Sequence, residues 1–268
     1  MVSGFSTHPL ASIPSVDTLL TLPYFDILAC LSKESLHPGG GVATQVLLDA
    51  CRLQSTDRVL EIGCGPGWTT RALLRAGISV TVVERSKRMI DAMLYRCAEE
   101  GLCPPTWFQS PIERFTTPET LRPFNVALLE CVVGFVADRS QIAPAITETI
   151  APGGCVGVLD VHYTSDPPAS VLSNLAIVTG HQITPLVRDD WFKLFPGMRC
   201  RTFQNFQLPS TSGDSGQRMV ERSGIAQHLS TTQSELDRLV GYLDCMRAVF
   251  DQNKRYMEGH VAVFEVVR

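Results

Sequence analysis

Residues 1–16 are punctuated by Pro and Ser, with no regular apolar spacing, and a loose arm is expected there. From Asp17 to about Leu36, the apolar residues Leu19, Leu20, Tyr24, Ile27, Leu28 and Leu31 recur at helical spacing. Pro23 falls inside that pattern, and its ring cannot sit in a helix interior, so two short helices are predicted. The run His37-Pro38-Gly39-Gly40-Gly41 breaks the chain again. A helix is then predicted over Val42–Arg52, with Val42, Val46, Leu47 and Ala50 on one face.

A strict alternation follows. Strands are predicted over Arg58–Ile62, Ser79–Glu84, Thr106–Gln109, Asn125–Glu130 and Cys155–His162. Helices are predicted between them over Gly67–Ala76, Lys87–Glu100 and Gln141–Ile150, with Gly153-Gly154 turning the chain into the last strand. Strands separated by crossover helices imply a parallel sheet covered on both faces, and right-handed crossovers make it a doubly wound α/β fold. Beyond His162 the rhythm loosens. Ala169–Val178 and Arg188–Phe195 read as helices, Arg199–Leu208 as a strand, and the polar, Gly/Ser-rich Pro209–Ser223 as a loop or mobile lid. A long helix is expected over Ser234–Tyr256, with Leu236, Leu239, Leu243, Met246 and Phe250 on one face, then a final strand over His260–Val267.

Composition narrows the function. At 268 residues, 44% hydrophobic and 19% charged, the chain is neither disordered nor fibrous, and it can bury a core without a metal or disulfide staple. Lys plus Arg is 23 against 27 for Asp plus Glu, a net charge of −4, which argues against a nucleic-acid groove built on bulk charge. No apolar window is long enough for a bilayer, and the N-terminus lacks the pattern of a signal peptide, so no membrane partner is expected. None of the nine cysteines makes a C-x-x-C pair, and several sit in apolar runs such as LLECVVGF. Buried thiols, no metal and a reducing cytoplasm are the expectation.

The chemistry concentrates in Val59-Leu60-Glu61-Ile62-Gly63-Cys64-Gly65-Pro66-Gly67-Trp68. A buried strand runs into three closely spaced glycines and then into a helix. Glycines there permit positive φ and let a ligand approach without meeting a Cβ. Seventeen residues past Gly67 the second strand ends in Glu84, where a carboxylate can accept two hydrogen bonds from vicinal ribose hydroxyls. A dinucleotide fingerprint needs a third glycine where Trp68 stands, and Glu61 sits poorly beside a pyrophosphate. An acid at that place suits a ligand bearing an amino group or another positive charge.

These residues resemble the class I S-adenosylmethionine-dependent methyltransferases of small-molecule type, over roughly Pro38 to His162. The resemblance implies S-adenosylmethionine as cofactor, with Glu61, Gly63, Gly65 and Gly67 holding its methionine part and Glu84 its ribose. It places Met89, at the end of the run Glu84-Arg85-Ser86-Lys87-Arg88-Met89, near the adenine. Pro111 and Ile112 match the adenine-contacting pair, preceded by Ser110 where the family usually carries an acid. Phe124–Glu130 is similar to the family's fourth strand, with Asn125 in place of Asp, and Ile150-Ala151-Pro152-Gly153-Gly154 to its Pro-Gly-Gly turn. His37 to Thr44 resembles the helix start that closes over the cofactor. The implied fold is a Rossmann-like sheet, mostly parallel with an antiparallel last strand. Residues 1–55 would form an arm and helical cap, and 56–268 the methyltransferase domain, with 163–235 as a substrate-side insertion.

Methyl transfer from a sulfonium is an in-line displacement, helped by alignment in a dry site and, for some acceptors, by a base. Glu130, Cys131, Asp160, His162 and Tyr163 all follow strands four and five. Glu130 is the expected cofactor contact. His162, whose unperturbed pKa suits a base, and Tyr163 are the catalytic candidates. An acceptor pocket is expected from residues 17–44 and 163–235, with Tyr24, Phe25, Trp191, Phe192, Phe195, Phe203 and Phe206 as its aromatic lining. A small-molecule acceptor follows, with an NAD(P)-dependent oxidoreductase, a cofactor-binding relative that transfers no methyl and a macromolecular methyltransferase as alternatives.

Overall fold

Alternation at period two builds the centre of the molecule. Val59, Val80, Val82, Val126 and Leu128 pack on one face of the sheet, and Leu60, Ile62, Val83, Ala127 and Leu129 on the other. The computed structural model describes residues 8–31, 36–136, 138–208 and 215–267. The strands are β1 (Arg58–Ile62), β2 (Ser79–Glu84), β3 (Thr106–Gln109), β4 (Phe124–Glu130), β5 (Ile150–Tyr163), β6 (Met198–Phe206) and β7 (Met257–Val266). They form one sheet in the order β3-β2-β1-β4-β5-β7-β6. The first five run parallel, and β7 lies antiparallel between β5 and β6. The order reverses direction between β1 and β4, so a crevice opens at their carboxyl ends, where doubly wound folds bind ligands.

The helices are α1 (Val16–Leu20), α2 (Tyr24–Cys30), α3 (Gly40–Cys51), α4 (Trp68–Arg75), α5 (Lys87–Glu99), α6 (Ile142–Thr147), α7 (Ala169–Thr179), α8 (Arg188–Leu194), α9 (Gly216–Ser223), α10 (Ile225–His228) and α11 (Gln233–Lys254). Leu47 of α3, Leu73 of α4 and Ile90 and Met93 of α5 cover one face of the sheet. Ile142 and Ile146 of α6 and Trp191 of α8 cover the other. A third core gathers Leu19, Ile27 and Leu28 from the N-terminal helices with Val178, Met219, Leu239 and Leu243 from α7, α9 and α11. The first and last helices of the chain therefore share one apolar cluster above the crevice.

Several expected boundaries shift, each for a local reason. Residues 209–214 of the expected loop lie outside the described residues, but Gly216–Ser223 is helical. Ser215 caps it by accepting from the Arg218 N–H, and Met219 and Val220 bury its inner face. Strand β5 begins at Ile150, not Cys155, because the Pro-Gly-Gly segment is a bulge inside the pairing with β4: Phe124 faces Ile150, whereas Val126 faces Cys155. Gly154 has no room for a Cβ, which would stand 2.5 Å from the Asn125 carbonyl oxygen. The last helix starts one residue early, where Thr232 and Glu235 form a capping box, and stops at Lys254, so β7 starts at Met257 and not at His260. No helix among the described residues is long and apolar enough to cross a membrane.

Candidate active site

The three glycines of the β1–α4 loop serve different ends. All have positive φ, from +52° at Gly65 to +83° at Gly67. A Cβ at Gly67 would lie 2.4 Å from Met93 Cγ, so its bareness lets α4 pack on α5. At Gly63 the obstacle would be Val132, 2.5 Å away. A Cβ at Gly65 would meet only Leu36, at 3.8 Å, so open space lies beside this residue alone of the three. Trp68, at the place of the third dinucleotide-loop glycine, packs its indole against Gly41, where a Cβ would stand 2.8 Å from the ring. The glycine that permits close helix packing has moved to α3.

Three carboxylates converge on this loop. Glu84 accepts from the Gly65 N–H at 3.2 Å and from the Ser86 N–H at 2.9 Å. Burial nonetheless raises its pKa, the backbone hydrogen bonds working against that rise. Glu61 accepts from Thr70 Oγ1 at 2.5 Å, and burial pushes its pKa up to about 8, with further upward contributions from Glu130 and Glu84. Glu130 accepts from Thr44 Oγ1 at 2.7 Å and Thr69 Oγ1 at 2.5 Å, and His37 Nε2 lies 3.3 Å from its Oε2. Three carboxylates gathered at one loop are suited to a cationic ligand.

They open into a cavity of about 850 Å³. That is near the top of the roughly 300–1,000 Å³ range of small-molecule sites, with space for two molecules of moderate size. Of the residues expected to hold a cofactor, Glu61, Gly63, Gly65, Glu84, Arg85, Met89, Pro111, Ile112 and Glu130 line it, and Gly67 does not. Ser110, beside Pro111, is also on the wall, its hydroxyl donating to the Pro111 carbonyl. Arg85 reaches His181 Nε2 at 2.7 Å, joining the end of β2 to the segment after α7. Ser86 Oγ donates to Asp26 of α2 at 2.6 Å, which fixes the cap helix over the same wall.

The catalytic candidates separate. Tyr163 lines the cavity and donates to Asn253 Oδ1 of α11 at 3.1 Å, and burial raises its phenol pKa. His162 does not line it. Strand β5 runs on past its last pairing with β4, at Leu159, and continues against β7, with a single bridge from Tyr163 to Val187 on its other side, so that His162 meets Phe203 of β6. There its Nδ1 lies 3.3 Å from Nδ1 of His260, and its ring packs edge-on to Phe203. Burial lowers the pKa of both imidazoles, that of His260 to about 3, so the pair is neutral at neutral pH. Expectation and structure disagree at His162 because strand parity does not reveal how far a strand outruns its neighbour.

Asp160 does line the cavity. It accepts from the Val161 N–H at 2.8 Å and the Val133 N–H at 3.3 Å, and burial pushes its pKa up to about 7. Of the expected aromatic lining, Tyr24, Phe25 and Trp191 are present. Phe195 instead packs on Phe264, Phe203 stacks on His260, Phe206 fills the space over Gly259, and Phe192 is part-exposed against Phe203. The structure adds wall residues absent from the expected set, among them Arg139 and, from α11, Arg247, Phe250, Asn253 and Lys254. Their signal was Phe250 itself, since residues three and four positions along a helix share its face.

Residues 59–154 match the family described as "Methyltransferase domain", a span that takes in the glycine loop, Glu84, Glu130 and the Pro-Gly-Gly bulge. Over that span the chain is similar to a methyltransferase domain, carried here on a doubly wound sheet. The chain is 32% identical over 107 residues to a ubiquinone biosynthesis O-methyltransferase of Caulobacter sp. (strain K31), covering 40% of this chain and 42% of that protein. It is 28% identical over 147 residues to the uncharacterized methyltransferase YodH of Bacillus subtilis (strain 168), covering 54% of this chain and 61% of that one. The matches thus span about two-fifths to three-fifths of those curated relatives. The fold extends further: the [4+2]-cyclase SpnF superposes with a TM-score of 0.68 at 14% identity, over 94% of this chain and 97% of that one.

Proposed function

We propose that this protein transfers a methyl group from S-adenosylmethionine to a small-molecule acceptor by in-line displacement at an O, N or C nucleophile. The observation that carries the reading is the convergence of Glu61, Glu84 and Glu130 around the one loop glycine with open space beside it. A nucleoside with a cationic amino-acid tail fits that set. Glu84 offers its remaining acceptor capacity to ribose hydroxyls, Glu61 and the Gly65 face take the ammonium end, and Met89, Pro111 and Ile112 form an apolar wall for the adenine. Arg85 borders the same wall. Glu130, immobilised by Thr44, Thr69 and His37, places negative charge where β4 ends. The cofactor, when bound, supplies an electrophilic methyl group.

On this reading the chain's own contribution is alignment in a water-poor site. Tyr163, held by Asn253, orients the acceptor at the end of β5. Asp160, buried on the same wall, is placed to receive a proton when the nucleophile carries one. Residues 1–55 act as cap and 163–235 as acceptor-side insertion, with α11 completing the chamber. A cytoplasmic setting without nucleic-acid partners accords with the mild acidity and the buried thiols.

Thermal-shift and calorimetric titration test the reading, because a ligand that binds only the native state raises its melting point. S-adenosylmethionine and S-adenosylhomocysteine are expected to stabilise the protein and NADH to leave it unchanged. Stabilisation by NADH alone would sink the proposal. Incubation of methyl-labelled cofactor with metabolite extracts is expected to label small molecules. Label confined to RNA or protein would move the acceptor to a macromolecule, and no label anywhere would indicate a cofactor-binding relative without transfer.

A further inference from the structure

Past the end of β4 the cavity continues between α2, α7 and α11, and its wall changes character. Tyr24, Phe25 and Leu28 contribute from α2, Leu175 from α7, Met219 from α9 and Phe250 from α11. Phe250 stacks on Tyr24 with ring centroids 5.5 Å apart and meets Phe25 edge-on at 6.4 Å. This is a surface for an apolar body. On the same helix face, Arg247 and Lys254 border the cavity on either side of Phe250, and Arg139 borders it from the segment before α6. Asp160 borders the cavity as well, with a raised proton affinity that leaves it close to half-neutral near pH 7, as does Asp26 of α2, which accepts from Ser86 Oγ.

The two cations on α11 lie deeper than the acids that pair with them. Arg247 is 29% exposed and Asp244, 3.2 Å away, is 39% exposed; Lys254 is 19% exposed and Asp251, 3.4 Å away, is 40% exposed. Neither aspartate lines the cavity. The carboxylate is the more exposed member of each pair, so solvent screens it more than it screens the cation. The guanidinium of Arg247 is near enough to Tyr24 to act on its phenol, which sets that charge beside the aromatic cluster.

Resting on the methyltransferase reading, we infer that the acceptor is an amphipathic anion, with an apolar body against Phe25 and Phe250 and a carboxylate or phosphate seated on Arg247 and Lys254. A guanidinium offers such a group a planar fork of donors and an ammonium adds a point charge, while the rings between them exclude water from the body of the molecule.

A pair of fluorescent probes tests this without knowledge of the substrate. 8-Anilinonaphthalene-1-sulfonate and N-phenyl-1-naphthylamine share a ring system and differ by the anionic group. With S-adenosylhomocysteine saturating, the anionic probe is expected to bind about tenfold more tightly or better, as for hydrogen bonds to charged groups. Dodecanoate or dodecyl phosphate should displace it and dodecanol should not, the better of the two acids identifying the head group. The double variant Arg247→Gln/Lys254→Gln should lose about tenfold in affinity for the anionic probe and keep its affinity for the neutral one. Equal binding of the two probes by the wild type, displacement by dodecanol, or a preference that persists in the double variant would overturn the inference. If the double variant does not fold, the wild-type preference and displacement series decide alone. Calorimetry with S-adenosylhomocysteine separates the two levels: lost cofactor binding removes the methyltransferase reading, whereas intact cofactor binding without anion preference removes only this inference.

Discussion

The two halves of the cavity are built by opposite means. On the donor side, backbone groups and carboxylates meet at fixed distances: Glu84 is held by two N–H groups, and Glu130 by two hydroxyls beside an imidazole. On the acceptor side, side chains from α2, α7, α9 and α11 enclose a larger, mainly apolar space. The first construction leaves little freedom of residue type, because each position answers to a backbone conformation or a buried charge. The second can exchange one apolar residue for another and change its occupant without changing the fold. On the proposed function, one cavity thus combines a fixed donor half with an adaptable acceptor half.

The sharpest way to break that comparison is at the loop glycines. Gly67→Ala combines a left-handed backbone with a Cβ driven into Met93, and should cost about 2–4 kcal/mol of stability in denaturant unfolding. Gly65→Ala meets open space, so it should unfold closer to wild type while losing affinity for S-adenosylhomocysteine. Wild-type cofactor affinity in Gly65→Ala would show that the ligand does not approach this face. Glu84→Ala is expected to weaken cofactor binding by about 1.5–3 kcal/mol in calorimetry, and unchanged affinity would remove its ribose role.

The buried acids make a pH prediction with a definite sign. Glu61 and Asp160 have folded pKa values raised to about 8 and about 7, so their contribution to stability is greatest at low pH and is lost as pH rises through those values. His260, lowered to about 3, acts in the opposite sense only below its ordinary value of 6.5. The ligand-free protein should therefore melt higher at pH 6.5 than at pH 8.5, by at most ~1.4 kcal/mol per pH unit for each acid. Saturating S-adenosylhomocysteine should flatten the slope, since an ammonium beside Glu61 favours its ionised form. The smallest effects fall on β5. Tyr163→Phe should cost about 1 kcal/mol by orphaning Asn253, with cofactor affinity intact. His162→Gln should leave cofactor affinity and methyl transfer alike, and a collapse of transfer alone would return His162 to the mechanism.

The donor half was legible because its constraints are local. A strand ending in an acid, glycines where φ must be positive and a wide Trp where a dinucleotide loop needs Gly are facts about consecutive residues. Even there, sequence alone could not assign Gly67 to helix packing and leave Gly65 beside open space, since that depends on where Met93 lies. The partners of Glu130 were equally hidden, because Thr44 and Thr69 come from separate helices. The acceptor half was legible only as a region. Leu239, Leu243 and Phe250 belong to one apolar stripe, yet the leucines are core and Phe250 is wall. Hydrophobicity does not distinguish a residue that fills a core from one that borders a cavity.

Trp68 and Gly41 carry a consequence for dissecting the molecule. The indole on α4 and the bare backbone on α3 are complementary shapes from opposite sides of residue 58, and Thr44 supplies one of the bonds that hold Glu130. Excising the segment from residue 58 to residue 162 as a minimal unit would expose the indole, strip a partner from Glu130 and uncover Gly157 and Leu128, which Leu47 and Cys51 of α3 cover. Such a fragment is expected to express as an aggregation-prone species, whereas one beginning at residue 37 retains the interlock. The span that matches the family, residues 59–154, is thus expected to be shorter than the span that folds by itself.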